Sequence, residues 1–471
     1  MEDLMHSWRG LLISLFIAFP CFLSARTVPV LIQYPLSRDA ETLESLDFQL
    51  HARYGDLLIG TLPRDDESVL SEGVLLLPEA IGDFTDIYQV DPRALARKSG
   101  LREQLDILFI YDGLLLIKAK PQHLNALSSA GIHFRAIPNT ARRIQTSKPS
   151  PPGLDTIDPF VGVILDQVSA SAYENSIQSL QDFITRNTYN PECDSAALWI
   201  LGQFQNMGLT AWLDSFQIGG LTRYNVIAEL PGTHYPDQIY YIIAHHDATA
   251  GLPVLPEDEA PGADDDGSGS ALVLECARVM SQFSFQNTVR FAVFAGNEQG
   301  LIGSEAYVSG LPIPGEDYLG VFDADMIGWA GSDPWPPDLV IYTNDDPVSI
   351  SLANKINEAV TQFVNGFVEP VILQDASMVY ADHAPFWDAN IPAILAMEDE
   401  AWGPDLNPYY HSDDDLLENL DITYALHALE AVLASVADLA APNGSTEPYL
   451  TADGVIIDDS QGNNNGQIEY G

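Results

Sequence analysis

From about residue 159 to 441 the chain alternates two kinds of apolar pattern. Apolar positions at helical spacing predict helices around Tyr173–Asn187, Ser195–Met207, Ser268–Gln282, Val348–Phe363 and Ile422–Leu439. Between them lie short continuous apolar runs, such as Ile239-Tyr-Tyr-Ile-Ile-Ala244, of the kind that suits strands buried on both faces. Such runs predict strands at Tyr224–Glu229, Gln238–Ala244, Thr288–Phe294, Leu319–Ala324, Leu339–Tyr342 and Ile391–Met397. Strands alternating with helices imply a mostly parallel central sheet in a three-layer α/β/α domain. Ligands of such sheets lie beyond the carboxyl ends of the strands.

The preceding region, 26–140, carries a weak internal repeat. Tyr54-Gly-Asp-Leu-Leu-Ile-Gly-Thr-Leu-Pro63 resembles Tyr111-Asp-Gly-Leu-Leu-Leu-Ile-Lys-Ala-Lys-Pro121, and each proline is followed by Gly-β-branched at the same distance, Gly73-Val74 and Gly131-Ile132. The pattern reads strand, helix, strand twice over. It predicts a small α+β module, one helix layer against one sheet, accessory or prodomain-like. Residues 141–158 are polar and proline-rich, as a linker is, and contain the pair Arg142-Arg143. Residues 442–471 change character again and read as a tail or the opening of a further β-rich module.

Composition adds two restrictions. The net charge is -47, from 67 acidic and 20 basic residues, which argues against nucleic acid or anionic lipid as a partner. Residues 10–25 follow Arg9 as an apolar stretch too short to span a bilayer comfortably and ending in small residues. They predict a signal peptide (1–25) cleaved near Ala25, and hence a secreted protein, extracellular or periplasmic. No other segment reads as long and apolar enough to cross a membrane. Of the three cysteines, Cys21 falls in that leader. Cys193 and Cys276 remain, and the sequence leaves open whether they pair.

The chemistry lies where apolar runs end. His245 closes one run, in Ala244-His-His-Asp-Ala248. Asp264 stands in the loop Pro261-Gly-Ala-Asp-Asp-Asp-Gly-Ser-Gly269. Glu298 follows Phe291–Ala295, with Gly300 and Gly303 close behind it. Asp325 follows another run, and His411 lies in Asn407-Pro-Tyr-Tyr-His-Ser-Asp-Asp-Asp415. Each alone has a bland explanation as a core histidine or a helix cap. Five together supply imidazole and carboxylate donors suited to two Zn²⁺. Two such ions, three carboxylates and one hydroxide come close to neutrality. Asp247, two residues after His245, is placed to orient that imidazole, and Asp415 to do the same for His411.

In this combination and order the segments resemble the M28 family of zinc peptidases, which includes bacterial leucyl-type aminopeptidases. The resemblance covers roughly 190–440. It rests on His245-His246-Asp247, the loop 261–269, Glu298-Gln-Gly-Leu-Ile-Gly-Ser304, Asp325-Met326, Asp382-His383-Ala-Pro-Phe386, and His411 with Asp415. It implies one zinc held by His245 with Asp325 and one by Glu298 with His411. Asp264 would bridge them, with a cis peptide between Asp264 and Asp265. It also implies hydrolysis of amino-terminal peptide bonds by water held between the ions, on peptides or proteins with free amino termini.

One position departs from the family. The residue before the glutamate ligand is normally a second glutamate, the general base; here it is Asn297, which cannot accept a proton. Loss of such a base removes roughly 10²–10⁴-fold in rate, and Asp247 or Asp265 are the nearby acids that could substitute. The sequence therefore implies a zinc aminopeptidase-like hydrolase with impaired turnover, or alternatively a zinc-binding pseudopeptidase that holds peptides without cleaving them. Cyclisation of amino-terminal glutamine, known among relatives of the family, is disfavoured by the peptidase-like segment Glu298–Ser304. Trp329, Tyr380, Phe386 and Trp402 are candidates for lining a substrate pocket.

Overall fold

The computed structural model describes residues 27–33, 48–54, 57–63, 74–77, 84–96, 98–111, 113–139, 141, 149–153, 156–331, 336–401, 403 and 405–443. The expected leader, the Arg142-Arg143 pair, Trp402 and the expected tail from residue 444 onward lie outside them.

The N-terminal module is built from strands β1 (Thr27–Gln33), β2 (Gln49–Tyr54), β3 (Leu57–Pro63), β4 (Val74–Leu76), β5 (Ile87–Val90), β6 (Asp106–Tyr111), β7 (Leu114–Lys118) and β8 (Phe134–Ala136). Its helices are α1 (Pro92–Ala96), α2 (Ser99–Arg102) and α3 (Pro121–Ser128). The strands form two sheets with the same topology, β2-β3-β1-β4 and β6-β7-β5-β8. The two copies of the sequence repeat occupy corresponding hairpins, β2–β3 and β6–β7.

The expectation of one sheet backed by one helix layer is therefore corrected. Each repeat closes a four-stranded antiparallel sheet of its own, because its apolar runs are of strand length and pair locally. The sheets bury Leu31, Ala52, Leu57 and Ile59 of the first with Ile87, Leu114 and Leu116 of the second in one cluster. Helix α3 covers the outer face of the second sheet, adding Leu124 and Leu127 to a core with Leu115, Ile117 and Phe134.

The larger domain contains α4 (Phe160–Leu165), α5 (Ala170–Gln181), α6 (Pro191–Asn206), β9 (Thr210–Ile218), β10 (Leu221–Leu230), β11 (Tyr235–His245), α7 (Gly267–Met280), β12 (Asn287–Phe294) and α8 (Ile302–Val308). It continues through β13 (Asp317–Ala324), β14 (Asp338–Thr343), α9 (Pro347–Phe363), β15 (Glu369–Gln374), α10 (His383–Asp388), β16 (Ala393–Met397) and α11 (Ile422–Leu439).

Eight strands form one mixed sheet in the order β15-β14-β16-β13-β11-β12-β10-β9. Its centre, β16-β13-β11-β12, is parallel throughout. Antiparallel pairs join β14 to β16, β12 to β10 and β10 to β9. Strand alternation assigns the two faces. Tyr240, Ile242 and Ala244 point to one core, under α4, α5, α6, α7, α9 and α11. Ile239, Tyr241 and Ile243 point to the other, with the segments around α8 and α10. That is the expected three-layer arrangement. β9, β15, α4, α8 and α10 were not read from the sequence.

Helix α11 has the length and apolar content of a membrane span, contrary to the sequence reading, but 61% of it is buried inside the protein. It packs against α9 and α7 and is a core helix.

Candidate metal centre

The parallel strands deliver the site. His245 is the last residue of β11, Asp325 directly follows β13, and Glu298 lies four residues beyond β12. These strand ends are neighbours in the sheet, so the three side chains emerge at one edge. The turn carrying Glu298 needs its glycines. Gly300 has φ +102, and a Cβ on Gly303 would lie 2.0 Å from the Ala295 carbonyl oxygen. His411 comes from the loop after β16 and holds φ 53, a left-handed backbone that is costly for a non-glycine residue and often found at functional sites.

Two donor sets meet at one carboxylate. The Nε2 of His411 lies 3.0 Å from Glu298 Oε2 and 3.2 Å from Asp265 Oδ2. The Nε2 of His245 lies 3.3 Å from Asp265 Oδ1 and 3.7 Å from Asp325 Oδ1. Asp265 thus offers a different oxygen to each histidine.

Here the structure corrects the expected bridge. Asp264 is turned away: its Oδ1 accepts from the Gly328 amide at 2.8 Å and its Oδ2 from Asn407 Nδ2 at 2.7 Å. The cis peptide likewise lies between Asp265 and Asp266 rather than between Asp264 and Asp265. Asp266 is near His245 and Asp325, but its oxygens accept from the amides of His245, Gly269 and Met326. It caps α7 and ties that helix to the ends of β11 and β13.

The supporting residues are also placed. Asp247 stands behind His245, with Oδ1 3.4 Å from Nδ1. Its carboxylate further accepts from the amides of Asn297 and Glu298 and from the Thr188 hydroxyl. It positions one imidazole and the glutamate turn together, and it does not line the cavity, so the structure gives it no proton-accepting place there.

Asp415 does not serve His411. Its two oxygens accept from the amides of Asp264 and Asp265 at 2.9 and 3.0 Å, fixing the aspartate loop. The Nδ1 of His411 instead meets the Ser128 hydroxyl at 3.1 Å, a residue of the N-terminal module that the sequence did not single out. Asn297 lines the cavity and donates its side-chain amide to Asp382 Oδ2 at 3.1 Å.

The electrostatics fit a cation centre. Burial works against a charged His245, yet its contacts with Asp247, Asp265 and Asp325 hold its pKa well above the ordinary value. Burial likewise opposes charge on His411, but Glu298 and Asp265 outweigh it and raise the pKa to about 10. Burial pushes Glu298 up to about 8. Without a cation, imidazolium protons supply the positive charge that these carboxylates demand. Glu298 Oε1 is buried without a hydrogen-bond partner, which is costly unless a ligand satisfies it. Imidazole nitrogens and carboxylate oxygens are the donors zinc takes, so the residues present fit it.

Residues 225–436 match the model of Peptidase family M28. That stretch is an M28 peptidase domain. The chain is 28% identical over 337 residues to leupeptin-inactivating enzyme 1 of Streptomyces exfoliatus, covering 68% of this chain and 70% of that protein. It is 27% identical over 290 residues to a probable leucine aminopeptidase of Arthroderma otae, covering 57% of this chain and 73% of the relative. The fold is similar to that of the Legionella pneumophila LapA aminopeptidase, with a TM-score of 0.60, 19% identity, and coverage of 76% of this chain and 98% of the other. The M28 domain is thus a zinc metallopeptidase domain of the aminopeptidase type, and its family acts on peptides.

A cavity of about 40 Å³ adjoins the donors of the M28 domain, lined by Asp265, Asn297, Glu298, Asp325 and His411 and by Tyr380 and Tyr410. Of the residues expected to line a substrate pocket, Tyr380 does so. Phe386 is core, packed on Tyr241 and Phe294, and Trp329 packs on Tyr409 elsewhere.

Proposed function

We propose that this M28 protein is an exported, two-zinc aminopeptidase that removes amino-terminal residues from peptides, slowed by Asn297. The observation that carries the reading is the Asp265 carboxylate between His245 and His411, each of which has its own second carboxylate, Asp325 and Glu298. His245 and Asp325 would hold one ion, Glu298 and His411 the other, and Asp265 both. Zinc bound there supplies Lewis acidity toward a scissile carbonyl and an acidified water. Asp247 fixes the ring of His245 and the backbone of the Glu298 turn, so both ligand sets keep their orientation.

Asn297 stands beside Glu298 at the cavity but cannot take the proton that hydrolysis releases. The reaction then lacks a positioned acceptor, a loss of roughly 10²–10⁴-fold. The apolar leader and the acidic composition support export.

The test is metal analysis of the purified protein with release of amino acids from aminoacyl amides, for the wild type and Asn297→Glu. Two zinc ions per chain, slow wild-type release abolished by a chelator, and faster release by the variant support the reading. No release by either zinc-loaded protein removes it. A second reading, a pseudopeptidase that binds peptides without cleaving them, is favoured by the engagement of the Asn297 amide with Asp382. Peptide binding without turnover in both proteins would establish it.

A further inference from the structure

One side of the cavity does not belong to the M28 domain. Ser128, Ile132, His133 and Phe134 come from the N-terminal module and line the same space as the metal donors. The Ser128 hydroxyl reaches His411 Nδ1 at 3.1 Å. The His133 ring stacks on Tyr410 with centroids 5.4 Å apart, lies 6.1 Å from the His411 ring, and brings Nε2 within 2.9 Å of the Tyr410 hydroxyl.

The module is fastened on both sides of this segment. Ser129 Oγ donates to the Gly251 carbonyl at 2.7 Å, and the Ala136 amide to the Gly300 carbonyl at 3.2 Å. Gly300 belongs to the turn that carries Glu298. Arg135, fully buried, pairs with Glu305 and Asp388 of the M28 domain. Detaching the module would strand two buried carboxylates without this counter-charge.

The remaining room is small. Its volume is about 40 Å³, where one water needs roughly 10–15 Å³. It lies among the metal donors Asp265, Glu298, Asp325 and His411, so bound ions would take part of it and His133 faces what is left.

We propose that segment 128–134 is a fixed specificity wall of the peptidase site, which disfavours large amino-terminal side chains, and that His133 sets the limit. The inference rests on the aminopeptidase reading above. Its test is calorimetric binding of glycine, alanine and leucine hydroxamates to the zinc-loaded full chain, alongside metal content and thermal unfolding. The proteins compared are wild type, His133→Ala, His133→Trp and the milder Ile132→Val.

The wild type should bind the alanine ligand at least tenfold tighter than the leucine ligand. His133→Ala should close that gap by tenfold or more while changing alanine binding less than threefold. Ile132→Val should move the ratio the same way by a smaller factor, and His133→Trp should weaken alanine binding relative to glycine. A wild type that already binds leucine hydroxamate as tightly as alanine hydroxamate overturns the wall. So does an unchanged ratio in folded, zinc-loaded variants. An equal gain for all three ligands in His133→Ala also overturns it, in favour of simple occlusion. Binding of no hydroxamate by any zinc-loaded protein removes the aminopeptidase reading itself and the wall with it.

Discussion

The side-chain amide of Asn297 donates to the carboxyl group of Asp382 at 3.1 Å, at the cavity that Asn297 lines beside Glu298. Burial raises the pKa of Asp382 to about 8, with nearby Asp323 adding to the shift. Replacing Asn297 with glutamate puts a titratable group back at the cavity. The expected outcome is a rise in kcat of roughly 10²–10⁴-fold with little change in KM, measured on aminoacyl amides at fixed zinc.

Asp264 and Asp265 are adjacent, yet they have separate tasks. Asp265→Asn should lower zinc content at both positions, because each histidine faces one of its oxygens. Asp264→Asn should keep the zinc and instead lose stability, about 1–3 kcal/mol for a disturbed buried hydrogen-bond set, since its oxygens hold the Gly328 amide and Asn407. Metal analysis with denaturant unfolding separates the two effects.

Arg135 fastens the N-terminal module. Arg135→Ala leaves Glu305 and Asp388, 6% and 1% exposed, without their guanidinium. Breaking such a buried pair costs about 3–5 kcal/mol, so urea unfolding should show either a markedly lower midpoint or a separate early transition of the module.

Both described cysteines are free and buried, and burial pushes the Cys193 thiol far above its ordinary pKa. An aromatic disulfide reagent should find no reactive thiol in the native protein and two in denatured protein that has lost residues 1–25. None in the denatured, unreduced protein would show that the pair is oxidised.

Much of the M28 domain was legible because its strands are buried on both faces and therefore appear as unbroken apolar runs. The ends of β11, β12 and β13 could be read from such runs, and His245, Glu298 and Asp325 with them. The choice among Asp264, Asp265 and Asp266 was not legible. Three identical side chains in one loop carry no periodicity, and their directions are set by the cap that Asp266 gives to α7 and by the grip of Asp415 on the two preceding amides. The edge strands β9 and β15 were missed because their positions are only partly buried. In the N-terminal module the repeat was visible, but the second sheet was not, since hairpin pairing depends on contacts between runs. The reach of Ser128 to His411, 283 positions away, comes from the docking of two modules and leaves no local mark in the sequence.

The sharing of Asp265 between two cations is tested most directly by anomalous diffraction at the zinc edge from crystals of the zinc-loaded protein. Two peaks about 3.5–4 Å apart, one beside His245 and Asp325 and the other beside Glu298 and His411, with Asp265 between them, are the predicted result. A single peak, or a pair bridged by Asp264 with Asp265 turned away, would contradict it.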